Sequence, residues 1–221
     1  MAALAAFLAR QPFRLCLGDL ARRRRVPRTG WAAGSALVLG GGAAAATAAA
    51  AFGAVGPFWA PLALAASMLL VQLAYDARNR GRTLLPEVLG AAAPGALAAA
   101  VVRADGWGLA EALALWAIVA TRAIPSVLYV RARLRLDRGQ GAGTDPVWPS
   151  HVLAIGLVGF LVFAGLAPRL AAVAVALLTA RTALGLSRWR SGTRPRQVGL
   201  AEIGIGIGFV ALVALGYRLP G

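Results

Sequence analysis

Long apolar runs alternate with short arginine-rich stretches along the whole of this 221-residue chain. An apolar run of about 20 residues crosses the hydrocarbon core of a bilayer as a helix. Only helices and closed barrels satisfy every backbone hydrogen bond in lipid, and the alternating pattern of an outer-membrane barrel is missing. The pattern predicts an all-α, polytopic transmembrane helical bundle of about seven spans, near residues 31–53, 57–74, 84–102, 108–130, 151–166, 170–186 and 201–217.

The distribution of arginine predicts the orientation of these spans. Eighteen of the 23 cationic residues, all of them arginine, fall at 10–28, 78–82, 131–138 and 188–196. The intervening connections carry only Arg103, Arg169 and Arg218. Short arginine-rich loops stay on the cytoplasmic side. We therefore expect a cytoplasmic amino terminus and, with seven spans, a carboxyl terminus outside.

Residues 1–30 precede the predicted transmembrane domain, residues 31–217, and form a cytoplasmic basic segment. Met1–Leu8 is apolar but too short to cross the bilayer. The basic cluster follows this stretch instead of preceding it, which is not the order found in a signal peptide. Two interpretations stay open: Met1–Leu8 is the tail of a helix whose beginning is absent from this chain, or it is a short amphipathic helix on the cytoplasmic surface.

Composition narrows the class of partner. The chain is 59% hydrophobic, so its net charge of +15 indicates anionic lipid headgroups at the membrane border and not a nucleic acid. Lysine is absent, and alanine and glycine are abundant, which is typical of a GC-rich bacterial genome and predicts a bacterial inner membrane. A single cysteine, Cys16, and a single histidine, His151, exclude a disulfide within the chain and a two-histidine zinc motif. We expect no metal and no cofactor, and the sequence does not predict an oligomeric state.

Ionisable residues inside the predicted spans are candidates for function, because burying one in lipid costs a few kcal/mol. Glu111 and Arg122 form the candidate intramembrane polar site. Arg122 precedes Pro125 by less than one turn, and a proline inside a helix frees a backbone carbonyl. The alternative for Arg122 is a structural bridge to a loop carbonyl or carboxylate. Arg181 lies close to the inner end of its span, where we expect its side chain to reach the membrane surface.

The predicted cytoplasmic rim holds a second candidate site, for an anion or a lipid headgroup. Arginine forks and helix amino termini both favour phosphate, and both features occur in the stretch Asp76–Gly90. The alternative is a capped loop whose arginines only set the topology. A second arginine-rich stretch, which contains Arg131, Arg133 and Arg135, is predicted to continue a helix beyond the membrane and to join this site. The candidate residues are Asp76, Asn79, Arg80, Arg82, Glu87, Arg131, Arg133 and Arg135.

Three segments together resemble the YwiC-like family of bacterial integral membrane proteins, whose biochemical role is not established. The segments are Ala6–Pro12, Gln72–Glu87 with Gly90, and Val130–Arg135. The resemblance implies a further amino-terminal helix pair with a Glu-His-Gly-Ala-Trp motif, which this chain does not contain. We therefore expect either a start that lies further upstream or a shortened member.

The loop Asp76–Gly90 also has a distant resemblance to a cytoplasmic loop of UbiA-type prenyltransferases. Those enzymes hold Mg²⁺ with paired aspartate-rich motifs, and here Asn79 stands where a second aspartate would be needed. Three hypotheses remain from the sequence. The chain is a transporter of an anionic solute, a lipid-linked transferase without those metal motifs, or a structural protein with no catalytic activity. No catalytic residue is assigned.

Overall fold

The computed structural model describes residues 2–21, 26–78, 80–81, 83–140, 146–187, 192 and 195–219. All regular elements among these residues are α-helices, which confirms the predicted all-α class. In chain order they are α1 (Ala2–Ala21), α2 (Pro27–Gly53), α3 (Trp59–Ala77), α4 (Leu84–Ala104), α5 (Leu109–Asp137), α6 (Val147–Phe163), α7 (Arg169–Leu186) and α8 (Pro195–Arg218).

Most of these helices have the length and composition of membrane spans. Within the described residues, α2, α3, α4, α5, α7 and α8 are long and apolar enough to cross a bilayer, and α6 is a shorter apolar helix of 17 residues. Their apolar side chains are widely exposed, as Trp31 on α2 shows with 82% of its surface accessible. Such faces suit lipid and not water. The chain is a multi-pass membrane protein, in agreement with the prediction of about seven spans.

The helices form two compact units, Met1–Ala112 and Leu113–Gly221. In the first unit α1 packs against α2 and α3, and α3 packs against α4. Two ion pairs hold α1 in place: Arg10 binds Asp76 of α3, and Asp19 binds Arg28 of α2. The carboxylate of Asp19 also accepts the hydroxyl hydrogen of Thr29 at 2.8 Å, so it orders the first turn of α2.

The second unit has an apolar core to which α5, α6, α7 and α8 all contribute. Its buried side chains include Ile118, Val158, Val175 and Phe209, one from each helix. These helices supply an apolar stripe with one buried residue every three or four positions, which is the spacing of a helical face. This packing fixes the rotation of each helix and therefore the direction in which its polar residues point.

Several observed helices are longer than the predicted spans, because helices continue into polar surroundings beyond the hydrocarbon core. α8 begins at Pro195, six positions before the predicted start at residue 201, and α5 continues to Asp137 as the sequence predicts. α1 does not end at Leu8 but continues through Pro12 to Ala21. α4 and α5 each run as one helix through their internal prolines, Pro94 and Pro125.

Candidate functional site

Arg181 of α7 is held by an aromatic ring and a carboxylate. Its guanidinium lies 3.8 Å from the centre of the Tyr129 ring, and a cation over an aromatic face is attracted by the ring electrons. It forms an ion pair with the carboxylate of Glu202 on α8 and donates a hydrogen bond of 3.2 Å to Thr182. Only 15% of the Arg181 side chain is exposed. Arg181 therefore turns inward, and the expectation that it reaches the membrane surface is wrong.

Arg122 of α5 points toward the same turn of α8. Its Nη2 donates a hydrogen bond of 3.0 Å to the backbone carbonyl of Glu202. The guanidinium also lies against Gly206, where a Cβ atom would overlap it. The glycine at this position allows the long arginine side chain to pass between the two helices. Arg122 thus bridges to a carbonyl, but this carbonyl belongs to helix α8 and not to a loop, as the alternative expected.

Arg133 lies one helical turn beyond Tyr129 on α5 and is 6% exposed. It donates through Nε to Asp137 at 2.9 Å and through Nη1 to the carbonyl of Gly185 at 2.6 Å. Gly185 also leaves room for the hydroxyl group of Tyr129, which a Cβ atom would overlap. These contacts bring the carboxyl-terminal turns of α5 and α7 together.

α5, α7 and α8 line a small, partly open cavity, called here the arginine cavity. Its volume is about 210 Å³. This is below the roughly 300 Å³ of ordinary small-molecule pockets, and it has room for a small ion or one polar headgroup. Its wall combines two guanidiniums with one carboxylate and a largely apolar remainder. It is lined by Tyr129, Arg133, Arg181, Gln197, Val198, Ala201, Glu202 and Ile205.

Several polar atoms around the arginine cavity are buried without a hydrogen-bond partner among the described residues. They include Nε of Arg122, Nε of Arg181 and Oε2 of Glu202. Buried polar groups are nearly always paired, so an unpaired group calls for a ligand, an ion or water. Nε2 of His151 on α6 is unpaired as well, while its Nδ1 lies 3.2 Å from the hydroxyl oxygen of Thr179.

The rim candidates of the first unit are arranged around Asp76. Its side chain is 4% exposed and accepts a hydrogen bond of 3.2 Å from Arg10. Gly81 lies directly against this carboxylate, and one turn earlier Gln72 lies against Gly90 of α4. Asp76 thus joins α1, α3 and the α3–α4 connection. The sequence did not predict Arg10 as its partner, because 66 positions separate the two residues.

The other rim residues vary in exposure. Arg80 is exposed, and Glu87 is half-buried in the first turn of α4, which begins at Leu84. Asn79 and Arg82 lie outside the described residues.

On α5, Arg131 is half-buried and Arg135 is exposed. Arg131, Arg133 and Arg135 belong to the second unit and Asp76 to the first, so their joint site stays a prediction.

Glu111 belongs to the first unit and Arg122 to the second, so the joint intramembrane polar site stays a prediction. Glu111 is exposed in the first turn of α5, and its carboxylate lies against Gly108. A carboxylate at that position interacts favourably with the positive end of the helix dipole.

Sequence reasoning missed Glu202 and the role of Tyr129. Glu202 is the single carboxylate of the last apolar segment, and this signal was available in the sequence. Tyr129 carries no signal in the sequence that predicts a contact with Arg181, because 52 positions separate the two residues. The described residues contain no group of three or more histidine, cysteine, aspartate or glutamate side chains that could hold a metal ion.

Comparison with known proteins identifies one family. The model of the YwiC-like proteins matches residues 1–102, which include the first two of the three resembling segments. The predicted resemblance is therefore confirmed over residues 1–102. Val130–Arg135 and the arginine cavity lie beyond the matched region. No curated protein and no solved structure matches the chain.

Proposed function

We propose that this multi-pass membrane protein, which is YwiC-like over residues 1–102, binds a small anionic solute in the arginine cavity, as a transporter of anions would. We place it in the bacterial inner membrane, as composition and arginine distribution predict. The observation that carries the proposal is the convergence of Arg122 of α5 and Arg181 of α7 on Glu202 of α8, beside a cavity that Arg133 also lines.

The charge of this cluster supports an anion and not a cation. Arg122 and Arg181 supply two positive charges, and among the described residues the carboxylate residue in contact with them is Glu202. These three residues together retain an excess of positive charge in a largely buried setting. Burying arginine within a membrane protein is costly, and residues retained there commonly mark the path of a solute or an ion.

The position of the cavity agrees with access from one side of the membrane. Tyr129 and Arg133 lie in the last turns of α5, and Arg181 lies near the end of α7. Glu202 lies in the first half of α8. The arginine distribution predicts that all three of these helix ends are cytoplasmic. The proposed solute would enter the cavity from the cytoplasm or leave through it.

Binding is tested on the purified protein in detergent. Phosphate, sulfate and citrate are titrated at constant ionic strength against chloride, and the melting temperature is recorded. We expect at least one of these oxyanions to raise the melting temperature of the wild type in a saturable way, because a ligand that binds only the folded state stabilises it. Arg181→Gln should remove this response.

The matched control is Arg169→Gln, which removes an exposed arginine from the first turn of the same helix. This variant should respond to oxyanions like the wild type. Uptake of the stabilising anion into proteoliposomes then separates transport from binding alone. An absence of any saturable response in the wild type would reject the proposal.

A further inference from the structure

Glu202 occupies the position on Arg181 that an anionic ligand would need. Its Oε1 contacts the guanidinium, and its Oε2 is buried without a hydrogen-bond partner among the described residues. Both residues line the arginine cavity. A solute oxyanion entering the cavity would therefore meet an arginine that already holds a carboxylate of the chain itself.

The backbone of Glu202 is fixed independently of its carboxylate. Arg122 donates to the carbonyl oxygen of Glu202 at 3.0 Å and fills the space above Gly206. α8 is therefore attached to α5 at this turn even when the Glu202 side chain leaves Arg181. Displacing the carboxylate requires a side-chain rotation and no movement of the helix.

Arg181 is also oriented without Glu202. The Tyr129 ring supports the face of its guanidinium, and Nη1 donates to the hydroxyl oxygen of Thr182 at 3.2 Å. A guanidinium fixed in this way presents its remaining donors in a planar fork, the geometry that matches the oxygens of a phosphate group. Arg181 is thus preorganised to bind an oxyanion in place of the Glu202 carboxylate.

Charge favours a phosphate over a second carboxylate. Among the described residues, Glu202 is the carboxylate residue in contact with Arg122 and Arg181, so setting its side chain aside leaves the two positive charges of these arginines. A phosphate monoester carries about −1.5 to −2 at neutral pH, which balances this excess. A monocarboxylate would only repeat the charge that Glu202 already provides.

We propose that Glu202 is a built-in counter-anion that a phosphate group displaces from Arg181. This inference rests on the proposed anion binding at the same cavity. It specifies the class of ligand, a phosphate group, and the side chain that competes with this ligand for Arg181. In the exchange, the ion pair between Glu202 and Arg181 breaks, and an ion pair between a phosphate oxygen and Arg181 forms. The phosphate group belongs either to a free phosphate or to the headgroup of a lipid.

The test compares wild type with Glu202→Gln, which keeps the shape of the side chain and removes its charge. Inorganic phosphate is the probe, titrated at constant ionic strength with the melting temperature as readout. Removing the competitor should lower the apparent dissociation constant by about tenfold, the value of one charge-assisted hydrogen bond. Without phosphate the variant should melt below the wild type, because Arg181 is then uncompensated.

Glu111→Gln is the matched control, since it removes the same charge from an exposed position in the first turn of α5. Its dissociation constant for phosphate should equal that of the wild type. If Glu202→Gln cannot be purified, Glu202→Asp replaces it, because the shorter carboxylate reaches Arg181 less well and should shift affinity in the same direction. Potassium nitrate, a monoanion, should not stabilise either protein.

The two sources of phosphate are separated by reconstituting the wild type in nanodiscs that contain phosphatidic acid or only phosphatidylcholine. Weaker binding of inorganic phosphate in the phosphatidic acid discs identifies the lipid headgroup, and equal binding identifies the free ion. Equal or weaker phosphate binding by Glu202→Gln, in a wild type that does bind anions, overturns the exchange alone. No anion response in the wild type instead rejects the underlying proposal.

Discussion

The carboxylate of Glu202 and the guanidinium of Arg181 form an ion pair between α8 and α7, with 16% and 15% of the two side chains exposed. Twenty-one positions separate the residues in sequence, and the intervening segment connects the two helices. Because both partners are largely withdrawn from water, the charge on each depends on the other for compensation. The pair is therefore important for stability as well as for ligand binding.

We expect Arg181→Met to destabilise the second unit by about 3–5 kcal/mol, because the substitution leaves the Glu202 carboxylate buried without its cation. Adding Glu202→Met should recover most of the loss, since an apolar pair of similar size has no uncompensated charge. The free energy of unfolding is measured by SDS titration in mixed micelles. A double variant whose loss equals the sum of the two single losses would show that the residues do not interact.

Gly206 is predicted to be required for the position of Arg122, because a Cβ atom at this glycine would overlap the guanidinium. Gly206→Ala should cost about 1–3 kcal/mol relative to Gly208→Ala, as overpacking does in a filled interior. Gly208 is the matched control: a Cβ there meets nothing within 4 Å, and both changes increase helix propensity equally. The same SDS titration measures both variants.

The effect of Gly206→Ala should depend on Arg122. In an Arg122→Ala background the overlapping guanidinium is gone, so Gly206→Ala and Gly208→Ala should then have the same effect on stability. A penalty at Gly206 that persists in this background would mean that a neighbour other than Arg122 is responsible.

The helical class and the positions of the spans follow from the sequence, because apolar length is a strong local signal in membrane proteins. The first and last residues of the helices were predicted less well than the helices themselves. α8 extends to Pro195, and its first turns contain Arg196 and Gln197, which no hydropathy pattern assigns to a helix. α1 was underestimated for the same reason, since its second half combines apolar residues with Arg14 and Asp19.

The arginine cavity could be predicted only in part. Arg122 was selected because it lies deep in a span, and Arg133 was selected with the rim residues. Arg181 was set aside because it lies close to the inner end of its span. Distance from the membrane border is, however, a poor guide to burial when a neighbouring helix supplies a counter-charge. Its pairing with Glu202 and Tyr129 depends on the rotation of three helices, and that rotation is set by packing of the apolar core.

We expect the arginines of the predicted cytoplasmic rim to bind anionic lipid headgroups. Arg80→Gln with Arg82→Gln should reduce the phosphatidylglycerol that co-purifies with the protein, because each arginine near a charged membrane surface contributes about 1 kcal/mol. The melting temperature should change by only a few degrees, since arginines at a water interface contribute little to the fold. Lipid is quantified by mass spectrometry of the purified protein.

Arg218→Gln is the control for this comparison, because Arg218 is exposed and ends α8 on the predicted outer side. It should leave the amount of bound phosphatidylglycerol unchanged. Unaltered lipid content in the Arg80 and Arg82 double variant would remove the headgroup site. Loss of expression would instead favour the alternative interpretation, in which these arginines only set the topology.

The orientation of the spans is tested by cysteine labelling in intact cells. Cys16→Ser first removes the native thiol, and single cysteines are then introduced at Asp105 and at Gln140, which are both exposed. A reagent that cannot cross the membrane should label Asp105→Cys, because Arg103 is the single arginine near the α4–α5 connection. Gln140→Cys follows Arg131, Arg133, Arg135 and Arg138 and should react only after the cells are permeabilised.

The two positions bracket α5, so the experiment also determines which side of the membrane the arginine cavity faces. Arg133 lies seven positions before Gln140 on the same chain and lines that cavity. Protection of position 140 in intact cells therefore places the Arg133 end of the cavity toward the cytoplasm, where a solute carrying phosphate would approach it. Strong labelling at 140 together with none at 105 would invert the topology and place that end outside.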